Sequence, residues 1–241
     1  MNTKEQFSRT ELLIGKDGLN KLQSAHVLVV GLGGVGGYAV EQLVRAGIGK
    51  LTLADADSIN KSNINRQIIA LNSTVGKAKT ECIAERMYDI NPNVELILHH
   101  KYFTEEDFAD LLKDADFDYV IDAIDTLAPK VALILETVKS GIPLISSMGA
   151  GAKLDPSQVK IVDISKTYND GLARMIRKRI HRQGIRKGFK AVFSPEPVVG
   201  KIVYEASQNK KTNLGTISYM PAIFGLHIAS QVIRDLIRTD T

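Results

Sequence analysis

Gly31, Gly33 and Gly36 stand at G-x-G-x-x-G spacing inside the run VLVVGLGGVGG at 27–37. The first glycine of such a pattern permits a tight turn, the second lets backbone approach a phosphate, and the third lets a helix pack closely on a strand. Asp55 follows at roughly the twenty-residue separation of a carboxylate that holds a ribose. Spacing alone leaves NAD and ATP equally open. A dinucleotide site needs the acid and little other charge nearby, whereas here Asp55-Ala56-Asp57 leads on to Asn63, Arg66, Lys77 and Lys79. Arg66 and Lys79 can neutralise β- and γ-phosphates and the pyrophosphate as it departs. Asp125 falls at the end of a fourth apolar run, and a carboxylate beside a triphosphate holds Mg²⁺. Each residue also has a plainer reading: a turn without ligand, solvated cations, and Asp122 and Asp125 as a helix cap and a strand-end charge. Their joint occurrence favours an ATP–Mg²⁺ site.

Positioning these residues takes alternating strands and helices. Apolar runs at 27–30, 50–54, 94–98, 119–124 and 142–146 read as strands, and helical spacing recurs at 38–46, 75–90, 105–113 and 130–140. That alternation predicts an α/β fold, a Rossmann-like, doubly wound and mostly parallel sheet. Ahead of it, Ser8-Arg9-Thr10-Glu11 has capping-box form, with a short helix interrupted at Gly15 and Gly18 and a second ending near Gln23. The polar stretch 56–74 is a loop at the carboxyl end of a strand, where open α/β sheets bind ligands. After Met148 the rhythm changes to a strand at 159–164, a basic amphipathic helix at 172–183 and a strand at 191–194, a carboxy-terminal α/β elaboration around 150–215. The tract QNKKTN at 208–213 reads as a disordered loop.

The 241 residues, 44% hydrophobic and 24% charged, suit one globular domain spanning 1–241. Cys82 is the single cysteine, which excludes a disulfide framework and a cysteine zinc cluster and favours a reducing compartment. The amino terminus lacks the apolar core of a secretory signal, so a cytoplasmic location is expected. The apolar stretch 217–233 is short for a bilayer and carries Pro221, His227 and Gln231, so it reads as a packed helix; peripheral membrane attachment stays open. Net charge is +4, yet residues 160–190 hold ten Lys/Arg against two Asp. Arg174, Arg177, Lys178, Arg179, Arg182, Arg186, Lys187 and Lys190 lie on or just after the helix whose apolar side is Leu172, Met175, Ile176 and Ile180. Such clustering is the footprint of nucleic-acid backbone binding, or else a solvated helix face.

The runs GLGGVGG, LADAD, SNINRQ, VGKAK and VIDAIDT resemble the adenylating domain of the ubiquitin-activating-enzyme-like family, whose bacterial members include ThiF and MoeB. The resemblance covers nearly the whole chain. NINRQIIAL, NPNVE, VIDAID, PLISSMGAGAKLDP and FSPEP are most similar to the family's dehydratase branch. That branch activates the carboxylate of threonylcarbamoyladenosine, beside the tRNA anticodon, with ATP and lets it close to a cyclic form. The resemblance implies that Gly33, Gly34 and Asp55 hold the adenosine half, with Asp57 in the same wall. It further implies that Asn63, Arg66 and Lys79 contact phosphates and that Asp125 binds magnesium. Arg9 matches an arginine that in relatives reaches the triphosphate of a neighbouring subunit, which implies a homodimer; Lys4 and Lys16 are alternatives for that residue. Paired C-x-x-C motifs and a catalytic cysteine are missing, and Ala191 and Val192 stand where some relatives carry a cysteine, so sulfur transfer is not expected. Ring closure needs only an adenylate and an internal nucleophile. An adenylyltransferase for a small carrier protein, a NAD-linked oxidoreductase and a non-catalytic RNA-binding scaffold are the competing readings.

Overall fold

The computed structural model describes residues 3–113, 116–198, 202–203 and 213–238. The helices are α1 (Thr3–Gln6), α2 (Ser8–Ser24), α3 (Gly36–Ala46), α4 (Lys79–Ile90), α5 (Glu105–Lys113), α6 (Leu127–Lys139), α7 (Gly171–His181) and α8 (Tyr219–Ile237). The strands are β1 (His26–Val30), β2 (Lys50–Ala54), β3 (Glu95–His99), β4 (Tyr119–Asp122), β5 (Leu144–Ser147), β6 (Lys160–Asp163) and β7 (Lys190–Phe193), with a short antiparallel pair of β8 (Ile202–Val203) and β9 (Asn213–Leu214).

β1 to β7 form a seven-stranded sheet in the order β3-β2-β1-β4-β5-β7-β6. All its pairings are parallel except β6 against β7. Alternation along β1 divides the core between the faces: Val27 and Val29 pack with α2, α3, α4 and α8, and Leu28 packs with Val30, α5, α6 and α7. This is the doubly wound, mostly parallel α/β sheet expected. The strand order reverses between β1 and β4, so the crevice beyond their carboxyl ends is the topological switch point, where such sheets bind ligands. Because β7 pairs in parallel with β5, the second half of the chain extends the main sheet.

Several local expectations shift. Helix α2 runs from Ser8, but Phe7 is its N-cap with no side-chain cap bond, and the Ser8 hydroxyl donates to Glu5 O, so no capping box forms. Only Gly15, at φ +74°, breaks the helical path; Gly18 is helical. Helix α4 begins at Lys79 instead of 75, because Gly76 turns the chain at φ +90°. Strand β4 stops at Asp122, two residues early, and α6 starts at Leu127 with Pro129 in its first turn, where a missing N–H costs no helical bond. The segment 208–212 lies outside the described residues.

Candidate nucleotide site and cationic surface

Strand β1 runs into the glycine turn, and a side chain at either end of that turn would collide with backbone. Gly31 holds φ +92°, and a Cβ there would lie 2.7 Å from Ala123 O; at Gly36 it would lie 1.8 Å from Gly31 O. Gly34 sits under α8 and the Arg66 stem, where a Cβ would meet Pro221 at 3.0 Å and Arg66 Cγ at 3.3 Å. Gly33 faces the Gln67 amide, with Nε2 3.6 Å from a Cβ built at that position. No side chain caps α3, and although Gly37 N–H bonds Gly33 O at 3.0 Å and Ala39 N–H bonds Val35 O at 3.1 Å, the positive dipole end of the helix faces the turn.

Asp55 fastens this turn to β2. Its Oδ2 accepts from Leu32 N–H at 2.6 Å and its Oδ1 from Asp57 N–H at 2.8 Å. Each carboxylate oxygen keeps a further lone pair for a ribose hydroxyl. Lys79, buried at the start of α4, donates to Asp57 Oδ2 at 2.6 Å and lies 3.6 Å from Asp55 Oδ1. A cation at a helix N-terminus opposes the helix dipole, and the two acids offset that cost. Lys79 N–H also bonds Asp57 O, and a bridge joins Ser58 to Ala78, so the loop and the helix start move as one piece.

Asn63 Oδ1 accepts from Asn60 N–H at 3.0 Å and closes the short 3-10 turn Lys61–Asn63, which leaves its Nδ2 as the end able to face a phosphate. Half-buried Arg66 donates from Nη1 to Ser62 O at 3.0 Å and to Asn65 Oδ1 at 2.9 Å. Asn65 in turn donates to Thr216 O at 2.9 Å, tying the loop to the segment before α8. Exposed Asp125 stands three residues past β4, across the switch point from Gly31. The structure therefore brings Gly31, Gly33, Gly34, Gly36, Asp55, Asp57, Lys79, Asn63, Arg66 and Asp125 to the loops at the carboxyl ends of β1, β2 and β4. Arg9 does not join them: it is exposed on α2, and its side chain makes no hydrogen bond or ion pair among the described residues. Lys16 is likewise exposed, and the Lys4 side chain lies outside the described residues.

No cluster of three or more His, Cys, Asp or Glu converges as a metal cage among the described residues. One carboxylate is nevertheless the donor set that suits Mg²⁺, which is commonly held by one or two protein carboxylates together with substrate phosphates.

A family model for ThiF matches residues 7–241. The chain belongs to the ThiF family. It is 41% identical to the tRNA threonylcarbamoyladenosine dehydratase of Bacillus subtilis, over 97% of this chain and 95% of that one. With the Haemophilus influenzae protein of the same name the identity is 37%, over 98% and 95%. Among solved structures, the E. coli tRNA N6-threonylcarbamoyladenosine dehydratase in complex with ATP superposes at a TM-score of 0.89 with 36% identity, covering 98% of this chain and 96% of that one. The same E. coli protein has also been solved with AMP.

In this ThiF-family chain the basic segment sorts into two kinds of cation. Helix α7 buries Ala173, Ile176 and Ile180, and its N-cap Asp170 accepts from Ala173 N–H at 2.8 Å and from Gly149 N–H at 3.2 Å. Arg174, Lys178 and Arg182 recur every fourth residue as an exposed stripe, with Arg179, Arg186 and Lys187 exposed beside it; none has a carboxylate partner among the described residues. Arg177 instead donates to Thr167 Oγ1, and Lys190 pairs with Asp235. No helix among the described residues is long and apolar enough to cross a membrane.

Two features escape a reading of spacing. Gln67 is 7% exposed, and its Oε1 is the one buried side-chain polar atom without a hydrogen-bond partner among the described residues. Its place directly after Arg66 was the available signal, but spacing does not say which loop residue turns inward. Asp122, far from being a cap, is fully buried and paired with Lys130. Burial pushes its carboxyl up, and the charge and hydrogen bond of Lys130, with hydrogen bonds from Ser146 and Ile124, pull it down.

Proposed function

We infer that this chain dehydrates threonylcarbamoyladenosine in tRNA to its cyclic form, using ATP to activate the carboxylate. The observation that carries the reading is the crevice, whose glycine turn, paired lysine, loop arginine and carboxylates converge at the switch point of a chain 41% identical to a dehydratase of that name. In the first step a substrate carboxylate oxygen attacks the α-phosphorus, the bond to the bridging oxygen breaks, and pyrophosphate leaves. In the second, an internal nucleophile of the threonylcarbamoyl group attacks the acyl carbon and AMP leaves, so the oxygen of the lost water departs on the AMP phosphate.

The glycine turn and Asp55 hold the adenosine half, with Asp57 in the same wall. Asn63, Arg66 and Lys79 bind the phosphates, and Arg66 and Lys79 neutralise the charge that develops on the departing pyrophosphate. Asp125 would hold Mg²⁺, which neutralises phosphate charge and orients the triphosphate. No thiol is required: Cys82 is buried, and burial pushes its thiol up. The stripe on α7 would carry tRNA phosphates. An exposed Arg9 suits a role in a second subunit, and hence a homodimer, better than a role in its own crevice. The substrate places the protein in the cytoplasm.

The test combines the purified protein, ATP–Mg²⁺ and tRNA bearing threonylcarbamoyladenosine. Nucleoside mass spectrometry should show loss of one water from that nucleoside, with AMP and pyrophosphate formed in step. An unchanged nucleoside mass would overturn the assignment, and ATP consumption driven by a carrier-protein carboxyl terminus would replace it with the adenylyltransferase reading.

A further inference from the structure

Lys130 Nζ and Asp122 Oδ2 are 2.8 Å apart, and both side chains are fully buried. A buried ion pair is a weak source of stability, since desolvation offsets most of the attraction. The pair does, however, grip one residue twice. Asp122 Oδ1 accepts from Ile124 N–H at 3.1 Å, and Lys130 Nζ donates to Ile124 O at 2.9 Å. From β5, the Ser146 hydroxyl donates to Asp122 Oδ2 at 2.5 Å and braces the carboxylate from the far side. The preceding residue is fixed as well, with Ala123 N–H bonded to Val30 O of β1 at 2.9 Å. Both polar groups of the Ile124 backbone are thus held by buried charges, and the next residue is Asp125.

We propose that the Lys130–Asp122 pair, braced by Ser146, is a positioning device that fixes the Ile124 backbone and so sets where Asp125 meets the Mg²⁺ of the bound nucleotide. This rests on reading Asp125 as the residue that holds the metal. Lys130 and Asp122 are positioning residues and touch neither nucleotide nor metal. An ordinary core pair would have no need to grasp both polar groups of a single crevice residue. Supporting groups behind a metal-binding side chain commonly govern metal affinity by about 10- to 100-fold.

The experiment measures the Mg²⁺ concentration for half-maximal ATP binding by calorimetry, alongside ATP binding in EDTA and thermal melting. Wild type is compared with Asp122→Asn/Lys130→Met, Ser146→Ala and Asp125→Ala. The double variant is neutral and close to isosteric, and it keeps an acceptor for Ile124 N–H while removing the Lys130 grip on Ile124 O. It should melt near wild type, bind ATP equally in EDTA, and need about tenfold more Mg²⁺. Ser146→Ala should need about two- to threefold more, a fraction of the full supporting effect. A folded double variant with wild-type Mg²⁺ dependence overturns the proposal. Should that variant not fold, unchanged Mg²⁺ dependence in Ser146→Ala overturns it equally. Asp125→Ala separates the two ideas: if it leaves the Mg²⁺ requirement unchanged, the metal reading of Asp125 falls, whereas a raised requirement there with none in the other variants sinks only the positioning role.

Discussion

In the crevice, Lys79 is buried against Asp55 and Asp57, whereas Arg174 and Lys178 on α7 and Arg182 at its C-cap stand exposed with no carboxylate partner among the described residues. Under the proposed function, the contrast follows from what each surface would bind. A site that orients a triphosphate gains from cations already fixed in place, because they need not reorganise as charge moves to the leaving group. Fixing a buried cation requires a counter-charge in the free protein. A surface for a polyanion gains from cations without partners, because release of counterions from the nucleic acid supplies the binding free energy and salt weakens it. Binding in the crevice should therefore be little affected by ionic strength, and binding along α7 should weaken as salt screens the field.

The largest effects should separate Lys79 from Arg66. Either Lys79→Ala or Arg66→Ala should lower ATP–pyrophosphate exchange by about 10²- to 10³-fold, the scale of losing one group that stabilises developing charge. Their thermal melts should differ. Lys79→Ala leaves the buried Asp55 uncompensated and should cost on the order of 2 kcal/mol, about 4–8 °C in Tm; this is below the usual figure for a buried pair because Asp57 is largely exposed. Arg66 bonds only to its own loop, so Arg66→Ala should melt with wild type. Equal Tm values for the two variants would show that the pairing of Lys79 contributes nothing to the free protein. Asp55→Ala belongs to the same region but acts differently: it should weaken ATP binding by about tenfold with little change in the bound rate, since ribose contacts are alike in ground and transition states.

How legible these regions were follows the range of the forces involved. The glycine turn, β2 at 50–54 and α5 at 105–113 lie where spacing puts them, since each is set by neighbouring residues. Helix α4 starts later than the apolar spacing from Val75 implies because a left-handed turn at Gly76 outweighs it, and α6 starts earlier because proline is tolerated in a first helical turn. That Asp55, Arg66 and Lys79 come after β2 and Asp125 after β4, at the carboxyl ends of parallel strands, is readable from the alternation alone. The brace behind that grip on Ile124 is not, because it needs β5 beside β4 to bring Ser146 to Asp122 across 24 residues. Counting Lys and Arg found the basic segment but could not say that Arg177 and Lys190 turn to partners within the fold.

The exposed stripe offers the next test. Replacing Arg174, Lys178 and Arg182 together with glutamine should flatten the log–log salt dependence of tRNA affinity by about two to three units, at roughly 0.7–0.9 for each phosphate no longer neutralised. ATP affinity should be unchanged, since the crevice residues bond to none of the three. Arg177→Gln, which removes a cation already engaged with Thr167, should flatten the slope by much less than the share of a single phosphate. Wild-type slopes in the triple variant would return α7 to the class of solvated helices.

Lys190 gives the smallest effect and the sharpest division, because it belongs to the basic segment by sequence and to the paired cations by structure. Its ammonium meets Asp235, which also accepts from Tyr119 at 2.9 Å and from Gln231 at 2.9 Å, joining the starts of β4 and β7 to α8. Burial alone would push the Asp235 carboxyl up, but hydrogen bonds from Lys190 and Tyr119 and the lysine's charge hold it below its ordinary value of 3.8. A carboxyl lowered in the folded state contributes stability above its unfolded pKa and loses that contribution as pH falls through the folded value. Lys190→Met should therefore lower Tm at pH 7 by about 2–4 °C, the scale of about 1 kcal/mol for a partly exposed ion pair in a chain of this size. That deficit should begin to shrink below about pH 3.8 and vanish only once pH has fallen through the lower folded value of wild-type Asp235, where the carboxyl is protonated in both proteins. The tRNA salt slope of the variant should match wild type, because a cation already satisfied within the fold releases no counterion from tRNA. A slope flattened as much as by removal of one stripe residue would mean that the segment binds as a whole and that pairing within the fold does not decide which cations reach the nucleic acid.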